Sequence, residues 1–264
     1  MSASRGPGSW ISPTRPARHM TVFALPAQPL FPDPAHADED GLLAVGGDLS
    51  PQRLLMAYAQ GIFPWYSENS PILWWSPDPR LVLEPGRIHV PARLERVLRQ
   101  GRFVFTLDTA FETVIGGCAQ TPRQGAHGTW IVPEMLAAYC RLHELGFAHS
   151  IEVWSGGKLA GGMYGVALGG AFFGESMFYR EPDASKAGLV TLMRALHGAG
   201  FALFDCQQTT AHMLRFGGFE VRRVEFLSRL ERAMRLPAPR GPWSLRDGAL
   251  VARDPNTCNG ASND

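Results

Sequence analysis

Two polar residues follow a short apolar segment in the last third of the chain. Asp205 and Gln207 come just after residues 201–204, whose apolar character predicts a short buried strand. Side chains two residues apart share a face in an extended chain, so the Asp205 carboxylate could orient the Gln207 amide. Ligands often bind at the carboxyl ends of strands. The pattern therefore predicts a polar ligand site at this strand end, and the alternative is that both residues only tie a loop together.

A third polar residue, Glu175, interrupts the apolar segment 171–178, which predicts another strand. An unpaired carboxylate is costly to bury, so we expect a cation or a hydrogen-bond donor to meet Glu175. Two interpretations stay open. Glu175 either receives a basic group or an amine of a substrate, or it is an internal hydrogen-bonded carboxylate.

Two candidate nucleophiles are disfavoured by their neighbours. Cys206 lies beside Asp205, whose negative charge opposes formation of the thiolate, so we expect Cys206 to pack in the core. Ser176 lies in a string similar to the G-x-S-x-G nucleophile elbow, but Phe178 stands where the pattern requires glycine. The sequence therefore argues against a thiol enzyme and against a serine hydrolase.

Three arginines fall on one side of a predicted helix over residues 91–99, away from its apolar positions. They are Arg93, Arg96 and Arg99. Such a stripe predicts a contact with the backbone of an RNA, and the alternative is an ordinary solvated helix face.

The composition limits the class of protein. A chain of 264 residues with 45% hydrophobic content buries its own core, and a formal net charge of +1 requires any RNA contact to come from a local patch. The cysteines are widely spaced, which argues against a zinc site or a disulfide framework and favours reduced thiols in the cytoplasm. No apolar run approaches the roughly 18 residues of a membrane span.

The order of elements predicts a mixed α/β chain with an antiparallel meander. Residues 148–154, 158–168 and 171–178 read as three consecutive strands, joined by the turn signals Gly156-Gly157 and Gly169-Gly170. Ser50 and Pro51 predict the start of an earlier helix. The polar and proline-containing ends of the chain are expected to be loose tails.

Seven strings in this order resemble the bacterial leucyl/phenylalanyl-tRNA–protein transferases. They occupy residues 41–51 (GLLAVGGDLSP), 61–65 (GIFPW), 74–80 (WWSPDPR), 128–131 (GTWI), 149–152 (HSIE), 174–178 (GESMF) and 205–207 (DCQ). The resemblance implies an α/β (α+β) fold in which a small N-terminal domain precedes an acetyltransferase-like (GNAT-type) domain with a central mixed sheet. We accordingly expect a tail at 1–26, the small domain at 27–82, the transfer domain at 83–236 and a tail at 237–264.

The resemblance also assigns residues to the aminoacyl-tRNA donor. By this likeness Trp65 and Trp130 face the terminal adenosine, with Tyr58 and Tyr139 nearby, and aromatic stacking is a sequence-tolerant way to hold a base. An apolar aminoacyl side chain needs a slot, whose expected walls are Met163, Phe172, Met177, Leu189, Leu192 and Leu196. Flexible methionines would admit leucine, phenylalanine and, as a further candidate, methionine. For each of these residues, plain core packing is the alternative.

The implied reaction joins the aminoacyl group to the N-terminal amine of a protein beginning with Arg or Lys, marking it for N-degron degradation. Asp205 would then act as general base or electrostatic group, Gln207 would position and relay, and Glu175 would bind the acceptor. The acyl ester is already activated, so no metal or other cofactor is expected, and a monomer that does not bind membranes is the default expectation. The rival classes are a CoA-dependent acetyltransferase, which lacks its usual glycine-rich loop here, and a noncatalytic tRNA-binding module.

Overall fold

The computed structural model describes residues 22–121 and 131–253. These residues form two sheets and a separate hairpin. The strands are β1 (Phe23–Ala24), β2 (Leu42–Val45), β3 (Phe63–Pro64), β4 (Leu73–Trp75), β5 (Arg80–Leu83), β6 (Val104–Leu107), β7 (Ala148–Ser155), β8 (Lys158–Leu168), β9 (Ala171–Tyr179), β10 (Leu203–Gln207), β11 (Phe219–Val221), β12 (Trp243–Arg246) and β13 (Ala249–Ala252). The helices are α1 (Pro51–Ala59), α2 (Ala92–Arg99), α3 (Phe111–Gln120), α4 (Pro133–Glu144), α5 (Ala184–Gly198), α6 (Ala211–Leu214) and α7 (Arg223–Met234).

The larger sheet has seven strands in the order β11-β5-β10-β9-β8-β7-β6. Strands β9 and β10 run parallel, whereas the other neighbours in this sheet are antiparallel. The predicted mixed α/β architecture with a central mixed sheet is therefore confirmed, as is the meander β7-β8-β9. The meander forms because each strand is apolar and the strands are joined by glycine pairs that allow tight turns.

The smaller sheet joins β1, β2, β4 and β3 in that order and precedes the long meander in the chain. Helix α1 connects β2 to β3. It begins as predicted, with Pro51 in the first turn and the Ser50 hydroxyl accepting a hydrogen bond from the backbone nitrogen of Arg53.

Two apolar cores flank the larger sheet. One core contains residues of α1, α3, α4 and α7, and the other contains residues of α2 and α5. Each helix presents an apolar stripe to the sheet and a polar face outward, so the sheet is covered on both faces.

The segment expected to be a loose tail after residue 237 is partly ordered. Strands β12 and β13 pair as an antiparallel hairpin, and Trp243 is fully buried in the core that contains α5. The Trp243 ring stacks on His149 with ring centroids 3.5 Å apart, and its backbone nitrogen donates to Asp108 at 2.6 Å. The expectation of a loose tail was wrong here. The prolines and glycines around Trp243 are typical of a tail, but the burial of this one large apolar side chain orders the segment.

The predicted extent of the strand before Asp205 also needs correction. Strand β10 runs through Asp205 to Gln207, so Asp205 lies inside the sheet and only Gln207 stands at the carboxyl end. Among the described residues, no helix is both long and apolar enough to cross a lipid bilayer.

Candidate active site

Strand β9 carries a bulge at Glu175. Tyr164 of β8 pairs with Ser176, and the next residue, Gly165, pairs with Gly174, so Glu175 is the extra residue. A bulge turns one side chain away from the regular alternation of the strand. Here the consequence is that Glu175 points to a group of polar residues instead of into an apolar core.

Strand β10 carries a second bulge, beside the first. Asp205 pairs with Val82 of β5 and Gln207 pairs with Leu81, which leaves Cys206 as the extra residue. Gln207 has a φ of 63°, an uncommon backbone angle for a residue with a side chain. The two bulges on neighbouring strands bring the Gln207 amide nitrogen to 2.8 Å from Glu175 Oε1.

Glu175 is the centre of this polar group. The Tyr58 hydroxyl donates to its Oε1 at 2.8 Å, and the Tyr139 hydroxyl donates to its Oε2 at 3.2 Å. The two tyrosine hydroxyls also lie within hydrogen-bonding distance of each other. Because each hydroxyl carries one proton, a hydrogen bond between them takes the place of one of the two bonds to Glu175. A carboxylate accepts about four hydrogen bonds. Tyr58, Tyr139 and Gln207 supply at most three, which leaves room for one more on Oε2. Glu175 is thus hydrogen-bonded within the protein and keeps free capacity on Oε2, while its contact with an acceptor stays a prediction.

Burial raises the pKa of Glu175 to about 7, because the charged carboxylate is displaced from water and Asp205 adds a second negative charge nearby. The hydrogen bonds from the two tyrosines and from Gln207 act in the opposite direction. A carboxyl group with this pKa exchanges protons near neutral pH, which is the property of a general base.

Tyr58 and Tyr139 are fully buried, and burial together with the charge of Glu175 raises the pKa of both hydroxyls well above the usual value. Both therefore stay protonated and serve as donors to Glu175. Their expected position near an adenosine stays a prediction, but their hydroxyls are already committed to the carboxylate. The sequence did not reveal this pairing because the three residues lie on separate elements.

Asp205 is fully buried in an ion pair with Arg80. The Arg80 guanidinium donates from Nε to Oδ1 at 2.9 Å and from Nη2 to Oδ2 at 2.6 Å. The rings of Phe63 and Phe226 lie 4.8 and 4.5 Å from the same guanidinium. Oδ1 also accepts from the backbone nitrogen of Gln207 at 2.8 Å. Both carboxylate oxygens are thus occupied, which favours an orienting role for Asp205 over direct proton transfer.

Arg80 is the residue of this site that the sequence did not single out, although a buried carboxylate requires a cation. The pair also corrects an expectation about Asp205. A catalytic role alone would let the charge of Asp205 be removed without loss of stability, but in the structure this change leaves Arg80 buried without its counter-ion.

A cavity of about 310 Å³ adjoins the polar group. Its walls are mostly apolar, while Glu175 supplies a carboxylate and Thr210 a hydroxyl. The remaining lining residues are Thr121, Met163, Gly174, Ser176, Met177, Phe204, Cys206, His212 and Met213. This size and lining suit a small apolar group that carries a reactive polar end.

Two of the six predicted wall residues, Met163 and Met177, line this cavity. The other four are buried in the core that contains α5 and are not among the lining residues: Phe172, Leu189, Leu192 and Leu196. Phe204 and Met213 supply apolar wall in their place. Contact of the other four with a ligand stays a prediction.

Cys206 lines the same cavity, but its thiol is a poor nucleophile. Burial raises its pKa well above the usual value, and the charge of Asp205 raises it further. The thiol therefore stays protonated at neutral pH, in agreement with the expectation from its neighbour.

Trp65 is 38% exposed and follows β3. Its backbone oxygen accepts a hydrogen bond from Trp75 Nε1 at 2.6 Å, and the two rings meet edge to face with centroids 5.7 Å apart. Phe63, two residues earlier, contacts the Arg80 guanidinium, so this loop adjoins the polar group. Trp130 lies outside the described residues. The assignment of either tryptophan to an adenosine stays a prediction.

Replacing Trp65 with Ala should raise the KM for aminoacyl-tRNA by a factor corresponding to about 1–3 kcal/mol, because one stacking surface is removed. The variant's kcat should change little. Steady-state kinetics with purified charged tRNA measure both quantities. Trp65→Phe retains an aromatic face and should restore most of the affinity. An unchanged KM in the Ala variant would contradict the role.

The predicted arginine stripe is present on α2. Arg93, Arg96 and Arg99 all lie at the surface, and none forms an ion pair within the part of the chain that the structure describes. Helix α2 packs against α5, where Arg194 pairs with Glu95 at 2.8 Å. The stripe is therefore free to meet an anion.

The half-buried carboxylate of Glu175 and the adjoining cavity are those of an enzyme site in a mixed α/β fold. Two family models match the chain: the leucyl/phenylalanyl-tRNA protein transferase model over residues 82–231 and the model of its N-terminal domain over residues 47–78. Curated relatives with the name leucyl/phenylalanyl-tRNA–protein transferase include a protein of Anaeromyxobacter dehalogenans, 59% identical and covering 86% of this chain and 97% of its own length. Another, from Oleidesulfovibrio alaskensis, is 58% identical and covers 87% of this chain and 94% of its own length.

The chain belongs to the leucyl/phenylalanyl-tRNA protein transferase family, and it is an aminoacyltransferase. Among solved structures, a GCN5-related N-acetyltransferase from Kribbella flavida matches with a TM-score of 0.34 and 12% identity, covering 64% of this chain and 60% of that chain. The structure of L-PGS from Bacillus licheniformis matches with a TM-score of 0.36 and 11% identity, covering 64% and 54%.

Proposed function

We propose that this enzyme transfers leucine or phenylalanine from aminoacyl-tRNA to the N-terminal amine of proteins that begin with Arg or Lys. The observation that supports this most is the cavity between Met163 and Met177, which joins apolar walls to the carboxylate of Glu175. An apolar aminoacyl side chain fits the walls, and its ester carbonyl then lies at the polar end.

The cavity sets the selectivity for the amino acid. Thioether side chains adapt to more than one shape, so leucine, phenylalanine and methionine can enter the same space. A hydrophobic pocket gains only about 1–3 kcal/mol for each methylene it buries. Smaller residues such as valine and alanine are therefore rejected by moderate factors.

In the proposed reaction, the neutral α-amine of the acceptor attacks the ester carbonyl. A C–N bond forms, the C–O bond to the ribose breaks, and the amine proton must reach a base. We assign this base to Glu175, because its Oε2 has room for one more donor and its pKa of about 7 suits proton transfer. The proton then passes to the departing ribose oxygen.

Gln207 and Asp205 position the reacting groups. The Gln207 amide donates to Glu175, and its amide oxygen accepts no hydrogen bond from any described residue, so that oxygen can orient the acceptor amine. Asp205 holds the Gln207 backbone and binds Arg80, which fixes the bulge of β10. Holding amine and ester together supplies most of the acceleration, since the ester is already reactive.

The decisive test of this function is transfer of labelled leucine from charged tRNA to a peptide, followed by mass measurement of the product. The peptide should gain one leucyl residue at its N-terminus. Labelled leucine that is bound but never transferred would identify a tRNA-binding module instead.

Peptides that begin with Arg or Lys should be used at least roughly tenfold better than a peptide that differs only in beginning with Ala. The physical reason is charge. A cationic side chain next to the amine adds an electrostatic attraction to the carboxylate of Glu175. Competition between the two peptides in one reaction measures the ratio of kcat/KM directly. Equal use of Arg and Ala peptides would remove the proposed acceptor specificity.

Further parts of the proposal concern the setting of the reaction. We place the enzyme in the cytoplasm as a monomer, where its product marks the acceptor for N-degron degradation. The cysteines in the described ranges, Cys118, Cys140 and Cys206, are free thiols, which suits a reducing compartment. The division into a small N-terminal domain at 27–82 and a transfer domain at 83–236 belongs to the same proposal.

A further inference from the structure

Four cations lead from the arginine stripe of α2, which supplies the first of them, toward the cavity. They come from four separate segments: α2, the loop after it, the first turn of α5, and the end of α6. We call this set the cation path, and its members are Arg93, Arg102, Lys186 and Arg215. The mechanism above uses none of them except Arg93, as part of the stripe.

Lys186 is the central member of the cation path. Its Nζ lies 2.7 Å from Asp183 Oδ1, and 44% of its side chain is exposed. The Lys186 hydrogen bond lowers the pKa of Asp183, and the charges of Arg93 and Arg102 lower it further. Arg93 and Arg102 therefore act on the same carboxylate as Lys186, and Arg102 also pairs with Glu181, two residues before Asp183.

The other end of the cation path reaches the cavity through His212, which is one of the lining residues. Burial lowers the pKa of His212, and the positive charges of Lys186 and Arg215 lower it further. Arg215 is exposed and lies three residues after His212, next to α6. The charge of Lys186 thus acts both on Asp183, at the start of α5, and on His212, at the cavity.

Carboxylates compensate only part of this charge. Arg102 pairs with Glu181 at 2.5 Å, and Lys186 pairs with Asp183. Arg93 and Arg215 have no carboxylate within ion-pair distance among the described residues. The path therefore keeps an excess of positive charge on an otherwise nearly neutral protein, whose formal net charge is +1.

We propose that the cation path binds the phosphates of the single-stranded 3′ end of aminoacyl-tRNA. This rests on the proposed function, which puts the double-stranded part of the donor against α2 and the aminoacyl group in the cavity. The nucleotides between these two points must cross the surface where Lys186 and Arg215 lie. Each carries one negative charge, and cations that follow a single strand hold its backbone without reading its sequence.

The test compares two short donors that differ only in the phosphates available to the path: phenylalanyl-adenosine and the trinucleotide CpCpA carrying the same phenylalanyl group. In Lys186→Gln and in Arg215→Gln, the ratio of kcat/KM for the trinucleotide to that for phenylalanyl-adenosine should fall about fivefold to tenfold. The dependence of log kcat/KM on log salt should become shallower by about 0.7 for each phosphate that the variant no longer binds. Ratios within about twofold of the wild type in both variants would overturn the proposal.

Two further variants separate a phosphate contact from a structural effect. Asp183→Asn releases Lys186 but retains its charge, so the ratio should stay constant or rise. If the ratio fell equally in Asp183→Asn and in Lys186→Gln, the effect would come from the structure at the start of α5 and not from a contact between Lys186 and a phosphate. Arg235→Gln removes an exposed arginine from the end of α7, which packs against the other core, and its ratio should equal the wild-type value.

Direct binding keeps this proposal separate from the proposed function. Fluorescence anisotropy of a 5′-labelled single-stranded RNA ending in CCA measures the cation path without any transfer step. One outcome is that the wild type transfers no amino acid, yet the RNA binds more weakly to Lys186→Gln than to the wild type. This outcome would refute the proposed function and support the cation path. Normal transfer together with binding that is independent of Lys186 and Arg215 would refute the path alone.

Discussion

Glu175→Gln is expected to lower kcat by about 100- to 10,000-fold, the range that follows from loss of a general base. The amide keeps the size of the side chain and can still hydrogen-bond to Tyr58 and Tyr139, but it cannot accept a proton. Donor KM should therefore change little. Single-turnover rates with saturating charged tRNA measure the effect, and Glu144→Gln, an exposed carboxylate on α4, is the matched control with wild-type activity expected.

The pH dependence makes this assignment specific. The rate ratio of wild type to Glu175→Gln cancels the titration of the acceptor amine, which is common to both enzymes. This ratio should decline as pH falls below about 7, because Glu175 then becomes protonated and inactive as a base. A ratio that is constant between about pH 6 and about pH 8 would place the proton acceptor elsewhere.

The thermal stability of Glu175→Gln provides a control, because it should rise while the activity of the same variant falls. The folded protein holds the Glu175 proton more tightly than the unfolded chain, in which the pKa is near its ordinary value of 4.5. Ionising Glu175 above about pH 7 therefore destabilises the fold, and this cost disappears as pH falls from about 7 to 4.5. We expect Glu175→Gln to unfold at a higher temperature than the wild type at about pH 8, and the gap should narrow at about pH 5.

Breaking the buried pair of Arg80 and Asp205 is expected to have the largest effect on folding. Asp205→Asn leaves the guanidinium uncompensated between two phenylalanine rings and should reduce the free energy of unfolding by about 3–5 kcal/mol. Arg80→Met should be similarly destabilising, because it leaves the Asp205 carboxylate buried without a counter-ion. Urea unfolding monitored by tryptophan fluorescence measures both effects.

The double variant Arg80→Met, Asp205→Leu tests whether the destabilisation comes from an unpaired charge. Because no charge remains buried, the double variant should be more stable than either single variant, although it should still transfer poorly since the β10 bulge loses its anchor. A double variant whose destabilisation equals the sum of the two single effects would contradict this account. Activity measured below the unfolding transition separates misplacement of Gln207 from loss of the fold.

The meander was predictable because its signals are local. Alternating apolar segments and paired glycines specify β7, β8 and β9 without reference to the rest of the chain. The start of α1 was predictable for the same reason, since Ser50 and Pro51 act within one turn. The arginine stripe of α2 depends only on the period of a single helix.

The geometry of the site was not predictable from single segments. A bulge is defined by the register of two paired strands. The sequence of residues 174–178 alone therefore does not predict that Glu175 is the extra residue. Arg80 and Asp205 are separated by 125 positions in the chain and meet only after β5 pairs with β10. The family resemblance assigned the base or electrostatic role to Asp205 and acceptor binding to Glu175. The proposed mechanism instead assigns the base to Glu175, because both oxygens of Asp205 are bound by Arg80.

The stacking of Trp243 on His149 has a consequence for the order in which the protein is completed. The core that contains α5 is closed by β12 and β13, which the ribosome makes after every other described element. Synthesis of the meander and of the site residues therefore ends with one core still open to water. The last strands act as a closing step of folding, and a chain stopped at residue 236 would expose the apolar surface that Trp243 covers.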